Sequence, residues 1–558
     1  MRVSAACLLV LAALAAWTGA ASAQPRQLPA LAPAANDGLK RALTQGRLTE
    51  AQYALERARS LFRLGAVRRE FGDVERPGPR DATLILRDLA VRLRELSGTE
   101  RREAERILAR PDMGGVPPGT GDGWTADEAT LSPLCGADVA LDANVCVHWV
   151  DEVGDPDAPP AVDTAPASGY PDQVDATLAE LETVWDKEIG ELGYRAPQDD
   201  SDSPNGAGGG PELDVYLDNI GTPDLRLFGY CTTDDPDAED PFVFAFSAYC
   251  VLDNDYSAVE FGLPPEEHAF LKVTAAHEFH HASQFAYDGV EDLWFMEGTA
   301  TNMEETVYPT VDDNVNFLDF SPLTRPASPL DRGGFGDSEY GSWIFWRFLE
   351  EKLYRGDPNV IRRVWNRARA ALPTDPDEYS IQAVARVLRH DGIHLADAFV
   401  GFAVANRLRT YADSNLYPRT PTDRTFRIGP AQRRTAWQAR RMKHLTTRYF
   451  SFRPRSGVPR RARLGLNVEA HPRGGRARVI IFTKGGSRSI RFIRLDRQGD
   501  GHRRVPFGRD VRRVDLVLSN GSSRMRDCFS DFFEPFYSCS GVPKDDRRTY
   551  RFRAILRT

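Results

Sequence analysis

Residues 276–305 read AHEFHHASQFAYDGVEDLWFMEGTATNMEE, with three histidines and an acid inside five positions and a second acid further on. His277 and His281 are four residues apart, so on a helix their rings leave one face a turn apart. Two imidazoles so placed can share one metal ion. Glu278, beside the first, can face a water held there without being a ligand itself. A catalytic zinc takes three protein ligands and keeps another position open. Glu297, sixteen residues after His281, is the candidate third ligand. Such a set supports hydrolysis, with Glu278 as general base toward a zinc-activated water. The bland alternative is a solvated helix that happens to be rich in histidine. Glu297, the packing face of Val273, Thr274, Ala275 and Ala276, and the signs of export weigh against it.

To position these groups, the first helix is expected over 266–288, beginning after Pro264 and Pro265, since proline suits a first helical turn. A second helix is expected over 293–308, folded back beside it, with Trp294 and Phe295 filling the core between the two. A third is expected over 340–354. Upstream, NVCVHWV (144–150), ELDVYLDNI (212–220) and FVFAFSAYCVLD (242–253) read as strands, and 173–193 as an amphipathic helix. Either FVFAFSAYC or ELDVYLDN is a candidate edge on which an extended peptide pairs through its main chain. Residues 37–112 carry helical periodicity, followed by the breaker-rich PDMGGVPPGTGDG. From about residue 443 short alternating runs recur between turn signals, the pattern of a β-sandwich.

The expected fold is therefore α+β and multidomain. A signal peptide (1–23) precedes a helical N-terminal segment or propeptide (24–112) and a linker (113–130). A catalytic domain with a mixed sheet and active-site helices (131–415) and an all-β sandwich (440–558) complete it.

The 558 residues carry a net charge of −9, unevenly spread. From residue 451 onward there are 26 Lys and Arg against 10 Asp and Glu, so an acidic body carries a basic C-terminal domain. That domain is a candidate for contact with an anionic cell-envelope surface, although arginines alternating with apolar residues are usually the wet face of a sandwich. Nothing in it has the pattern of a nucleic-acid reader. The start, MRVSAACLLVLAALAAWTGAASAQ, has a basic residue, a short apolar core and the small-x-small site Ala21, Ser22, Ala23, the form of a secretory signal. No later apolar run is long enough to span a membrane. Six cysteines remain beyond Cys7: Cys135, Cys146, Cys231, Cys250, Cys528 and Cys539. An even number in an exported chain points to disulfides, and nearest-neighbour pairing (135–146, 231–250, 528–539) closes short loops.

AHEFHHASQFAYD followed by LWFMEGTATNMEE resembles the gluzincin zinc metallopeptidases. The likeness is strongest to the aminopeptidase-like and hyicolysin-like branch, in which the third ligand lies in W-x-x-E-G-x-A, and to an MXAN-type group of secreted bacterial metallopeptidases. It extends over about residues 146–349, through DVYLDN, FGYC, VLDNDY and SPLDR. The resemblance implies a zincin-like catalytic domain, zinc bound by His277, His281 and Glu297, Glu278 as base, and a protein or peptide substrate. It also implies that Glu304, seven residues after Glu297, supports a ligand histidine. Thr301 stands where thermolysin-like relatives carry an Asp, so the chain departs from thermolysin proper. Tyr340 matches in part the tyrosine that stabilises the oxyanion in the aminopeptidase branch, but Gly341 follows it directly rather than three residues on. A non-enzymatic, zincin-like cell-surface or adhesive protein is the rival reading.

Among lesser features, His280 is expected in a supporting or surface place and His268 at the surface. Asp253, Asn254 and Asp255, and the segment DDSDSPN, are candidate calcium ligands, although their spacing better fits solvated turns. Asn520 and Gly521 fit a two-residue hairpin turn better than a glycosylation site.

Overall fold

The computed structural model describes residues 37–113, 124, 134–135, 144–201, 210–235, 244–334, 336–370, 378–528 and 537–558. The expected signal peptide and nearly all of the linker lie outside them. The architecture is mixed α+β, with helices dominating the N-terminal half and strands the C-terminal region. Among the described residues no helix is long and apolar enough to cross a membrane.

Strands β1 (Leu134–Cys135), β2 (Val145–His148), β3 (Leu213–Asp218), β4 (Gly229–Thr232) and β5 (Tyr249–Asp253) form one sheet in the order β1-β2-β3-β5-β4. The inner three are parallel, and β1 and β4 run antiparallel on the edges. Parallel strands need cover on both faces, and they have it. Leu213, Val215, Leu217 and Leu252 share the main core with the His-rich helix. Tyr216, Tyr230, Tyr249 and Val251 on the opposite face pack under the N-terminal helices.

Two expectations fail here. Both β3 and β5 are paired on each side, so neither offers a peptide edge; β1 and β4 are the edge strands. The strand expected over 242–253 begins only at Tyr249. The backbone before it bonds elsewhere: Phe246 N–H donates to Phe285 C=O, and Phe244 C=O accepts from Gly289 N–H.

The N-terminal unit consists of helices Gly38–Thr44, Glu50–Phe62, Leu64–Phe71, α1 (Ala82–Ala90) and Gly98–Leu108. Arg110 pins it to the sheet. This fully buried guanidinium pairs with Asp200, Asp214 and Asp234. Asp200, in the segment suggested for calcium, is thus committed to an arginine.

After α2 (Asp172–Trp185) and a wider turn over Asp186–Glu191 come α3 (Ala269–Asp288) and α4 (Leu293–Val307). Of α3, only Phe270 and Lys272 escape burial, as a helix inside a core requires. It starts at Ala269, later than expected, because His268 adopts a left-handed conformation (φ 55°) that breaks helical continuity from the prolines. The helix expected over 340–354 is interrupted. Tyr340 ends a single turn (Asp337–Tyr340), and α5 (Trp343–Arg347) leads into a wide-turn segment, Phe348–Leu353.

Among the described residues, strands between Arg424 and Arg557 form a five-stranded and a four-stranded sheet facing each other across Phe450, Phe452, Leu466, Leu516 and Phe552. The first strand, Arg424–Ile428, precedes the expected start of this domain. The outer side of the five-stranded sheet packs on α6 (Leu395–Leu408) through Val400, Ala403 and Val404. Asn520 is no hairpin tip. It ends a strand fully buried, and its amide donates to Lys443 C=O and Asp545 C=O. All three expected cysteine pairs are bonded. Two of them join register partners on adjacent strands, Cys135 to Cys146 and Cys231 to Cys250.

Candidate metal centre

His277 and His281 leave one face of α3, and α4 lies alongside to deliver Glu297. His277 Nε2 is 3.1 Å from both His281 Nε2 and Glu297 Oε2, and His281 Nε2 is 3.6 Å from Glu297 Oε2. Ligand atoms about 2.1 Å from a tetrahedral metal stand about 3.4 Å apart, so this triangle fits one ion. Tight packing behind Glu297 fixes α4. A Cβ on Gly298 would lie 2.1 Å from Ser342 Oγ and 2.8 Å from Trp346 Nε1, so only glycine allows this approach to α5. The rings of Trp294 and Phe295 lie in the core shared with α3 and stack on Trp346 and Trp365, at 5.5 and 4.2 Å.

Each imidazole is oriented from its other nitrogen. His277 Nδ1 is 2.7 Å from Glu304 Oε1, where the resemblance placed a supporting acid. His281 Nδ1 is 2.8 Å from Gln284 Oε1, and the Gln284 amide is itself held by Met296 C=O and Thr299 Oγ1. Such contacts fix tautomer and ring plane. Burial disfavours charge on His277, but the hydrogen bonds it donates to Glu297 and Glu304 outweigh it and lift its pKa to about 10. Glu297, also buried, is held at about 2 by His277 and His281.

Tyr340 stacks on the His277 ring with centroids 5.9 Å apart. Burial, then Glu297 and Asp81, push its hydroxyl well above the ordinary range, so it stays a protonated donor. His280, off the ligand face, is buried and 2.7 Å from Glu188. Burial drives His280 well below and Glu188 well above their usual values, which favours the neutral form of each.

The N-terminal unit also reaches the centre. Thr83 Oγ1 donates to Glu278 Oε2 at 2.7 Å, Arg80 Nη1 to Glu304 Oε1 at 2.7 Å, and Tyr340 Oη to Asp81 Oδ1 at 3.3 Å. Glu278, His277, His281, Glu297 and Tyr340 are each at most 4% exposed.

Asp253, Asp255 and Glu260 bring oxygens within 4.8 Å of one another. The Asp253 carboxylate is already engaged, accepting from Gly221, Asp255 and Tyr256 N–H as a turn cap.

Sequence reasoning did not find Gln284, Glu188, Arg80, Asp81 or Thr83. Gln284 has a local signal, three residues after His281 on the same helix. The others reach the site from distant sequence and have none.

No family model matches the chain, and no curated protein matches it. Among solved structures, it is weakly similar to the pre-peptidase C-terminal domain of a collagenase from Bacillus anthracis. That match has 9% identity and a TM-score of 0.15, covering 25% of this chain and 100% of that one. A family GH115 4-O-methyl-alpha-glucuronidase aligns at 10% identity and a TM-score of 0.12, over 55% of this chain and 45% of its own.

Proposed function

We propose that the chain is a secreted zinc metallopeptidase that hydrolyses peptide bonds at this centre. The observation that carries the reading is the triangle of His277, His281 and Glu297, with Glu278 next to the first ligand. Two nitrogens and one carboxylate oxygen are a catalytic zinc set. Zinc, when bound, supplies a Lewis acid that polarises the carbonyl and makes water nucleophilic near neutral pH.

The protein's own groups do the rest. Glu278 accepts the proton of the attacking water and passes it to the leaving amine. The Tyr340 hydroxyl donates to the carbonyl oxygen as charge builds on it, a contribution of about 3 kcal/mol. Glu304 and Gln284 hold the two imidazoles in place. A purely structural or adhesive metal site has no need of Glu278. The leader-like start and three disulfides support export.

Metal content by mass spectrometry tests the first step: one zinc per chain, lost in His281→Ala. Casein digestion with and without chelator tests the second. In Glu278→Gln, cleavage should fall by a factor of about 100 or more with zinc retained. Cleavage that persists in that variant, or a chain that takes up no zinc, defeats the reading.

A further inference from the structure

We propose that residues 78–88 are an intramolecular inhibitor that holds the metal centre latent. This rests on the peptidase reading and names its regulation.

Three groups of the site are each engaged by this one segment. Thr83 donates to the Glu278 carboxylate, the group needed to accept a proton. Asp81 takes the Tyr340 hydroxyl, the donor needed for the oxyanion. Arg80 bonds the same Glu304 oxygen that His277 uses, and its other arm reaches Asp313 at 2.6 Å. The segment also bonds the backbone of strand β4 and of the residue before it. Thr83 Oγ1 accepts from Cys231 N–H at 3.0 Å, and Pro79 C=O accepts from Phe228 N–H at 3.3 Å. A substrate therefore meets an engaged base, an engaged donor and a buried centre.

The local sequence makes the segment stiff. In Pro77, Gly78, Pro79 two prolines fix φ, and Gly78 N–H donates to Asp81 Oδ2 at 2.7 Å, closing a turn before α1. Arg87 anchors the far end, donating to Gly289 and Glu291 C=O in the loop between α3 and α4. A pre-ordered segment loses little entropy on docking, which strengthens its hold. Arg110 ties the unit to the sheet independently of the metal centre.

The test uses the full chain as wild type, Thr83→Val, and Thr83→Val with Arg80→Ala. Thr83→Val keeps the side-chain shape and serves if the double variant folds poorly, which far-UV circular dichroism checks. Two rates are read: transfer of bound zinc to a colour-forming chelator, and casein cleavage. Losing one hydrogen bond to a charged group should raise each rate about tenfold, and losing both contacts should raise it further. Unchanged zinc transfer and unchanged cleavage in folded variants overturn the inference. Faster zinc transfer without cleavage in any form upholds the inhibitory contact and instead counts against the peptidase reading.

Discussion

Arg80 Nη1 and His277 Nδ1 converge on one atom, Glu304 Oε1, each at 2.7 Å. A single carboxylate oxygen thus links the N-terminal unit to the first histidine of the metal triangle. Glu304→Gln keeps the size but loses the charge that orients His277. Zinc affinity should fall about 10- to 100-fold, the usual cost of losing a partner behind a ligand. A competition titration against a chelator of known affinity reads this, and unchanged affinity would show that the contact does not matter.

Arg110→Met should be among the most destabilising single changes in the chain. It leaves Asp200, Asp214 and Asp234 buried without their cation. Breaking a buried charge network in this way costs about 3–5 kcal/mol. Chemical denaturation of variant and wild type measures the loss. A change under about 1 kcal/mol would mean that water reaches the three acids.

The joint between body and sandwich should weaken in alkali. His444 Nε2 is 2.7 Å from Asp331 Oδ1, and Asp331 also accepts from Ser538 N–H and Oγ. Burial opposes charge on His444, but Asp331 and Asp546 outweigh it and raise its pKa to about 9. Because the folded value exceeds the unfolded one, this stability is fully present below about pH 6.5 and is lost as pH rises through about 9. The loss amounts to at most about 3 kcal/mol. Melting curves from pH 6 to 10 should show the decline, and His444→Gln should flatten it.

The four-stranded sheet of the sandwich presents Arg441, Arg463, Arg504, Arg551 and Arg557 on its exposed face, opposed there by Glu469 and Asp500. This excess of positive charge supports the reading of contact with an anionic envelope polymer. The salt needed to elute the chain from a polyanionic resin should drop in Arg504→Ser with Arg557→Ser. Elution at unchanged salt would assign these residues to an ordinary wetted surface.

Much of the site was legible because its signals are local or periodic. The i, i+4 spacing of His277 and His281 fixes their common face on any helix, and W-x-x-E-G-x-A points to Glu297. The alternation after residue 443 sets a sandwich, and cysteine spacing sets three pairs that the fold confirms. Legibility failed where backbone bonding depends on partners distant in sequence. FVFAFSAYC looked like one strand, yet its first half bonds to the end of α3. ELDVYLDN looked like an edge, yet it sits between two other strands.

Residue order alone determined that His277 and His281 share one helix face, because that depends only on helical pitch. Tertiary structure decided what meets them, Glu297 from α4 and the polar groups of the N-terminal unit. Thr83 lies 195 residues before Glu278 in the chain, and no periodicity carries a contact over that span. Only the packing of the N-terminal helices on the sheet brings the hydroxyl to the carboxylate.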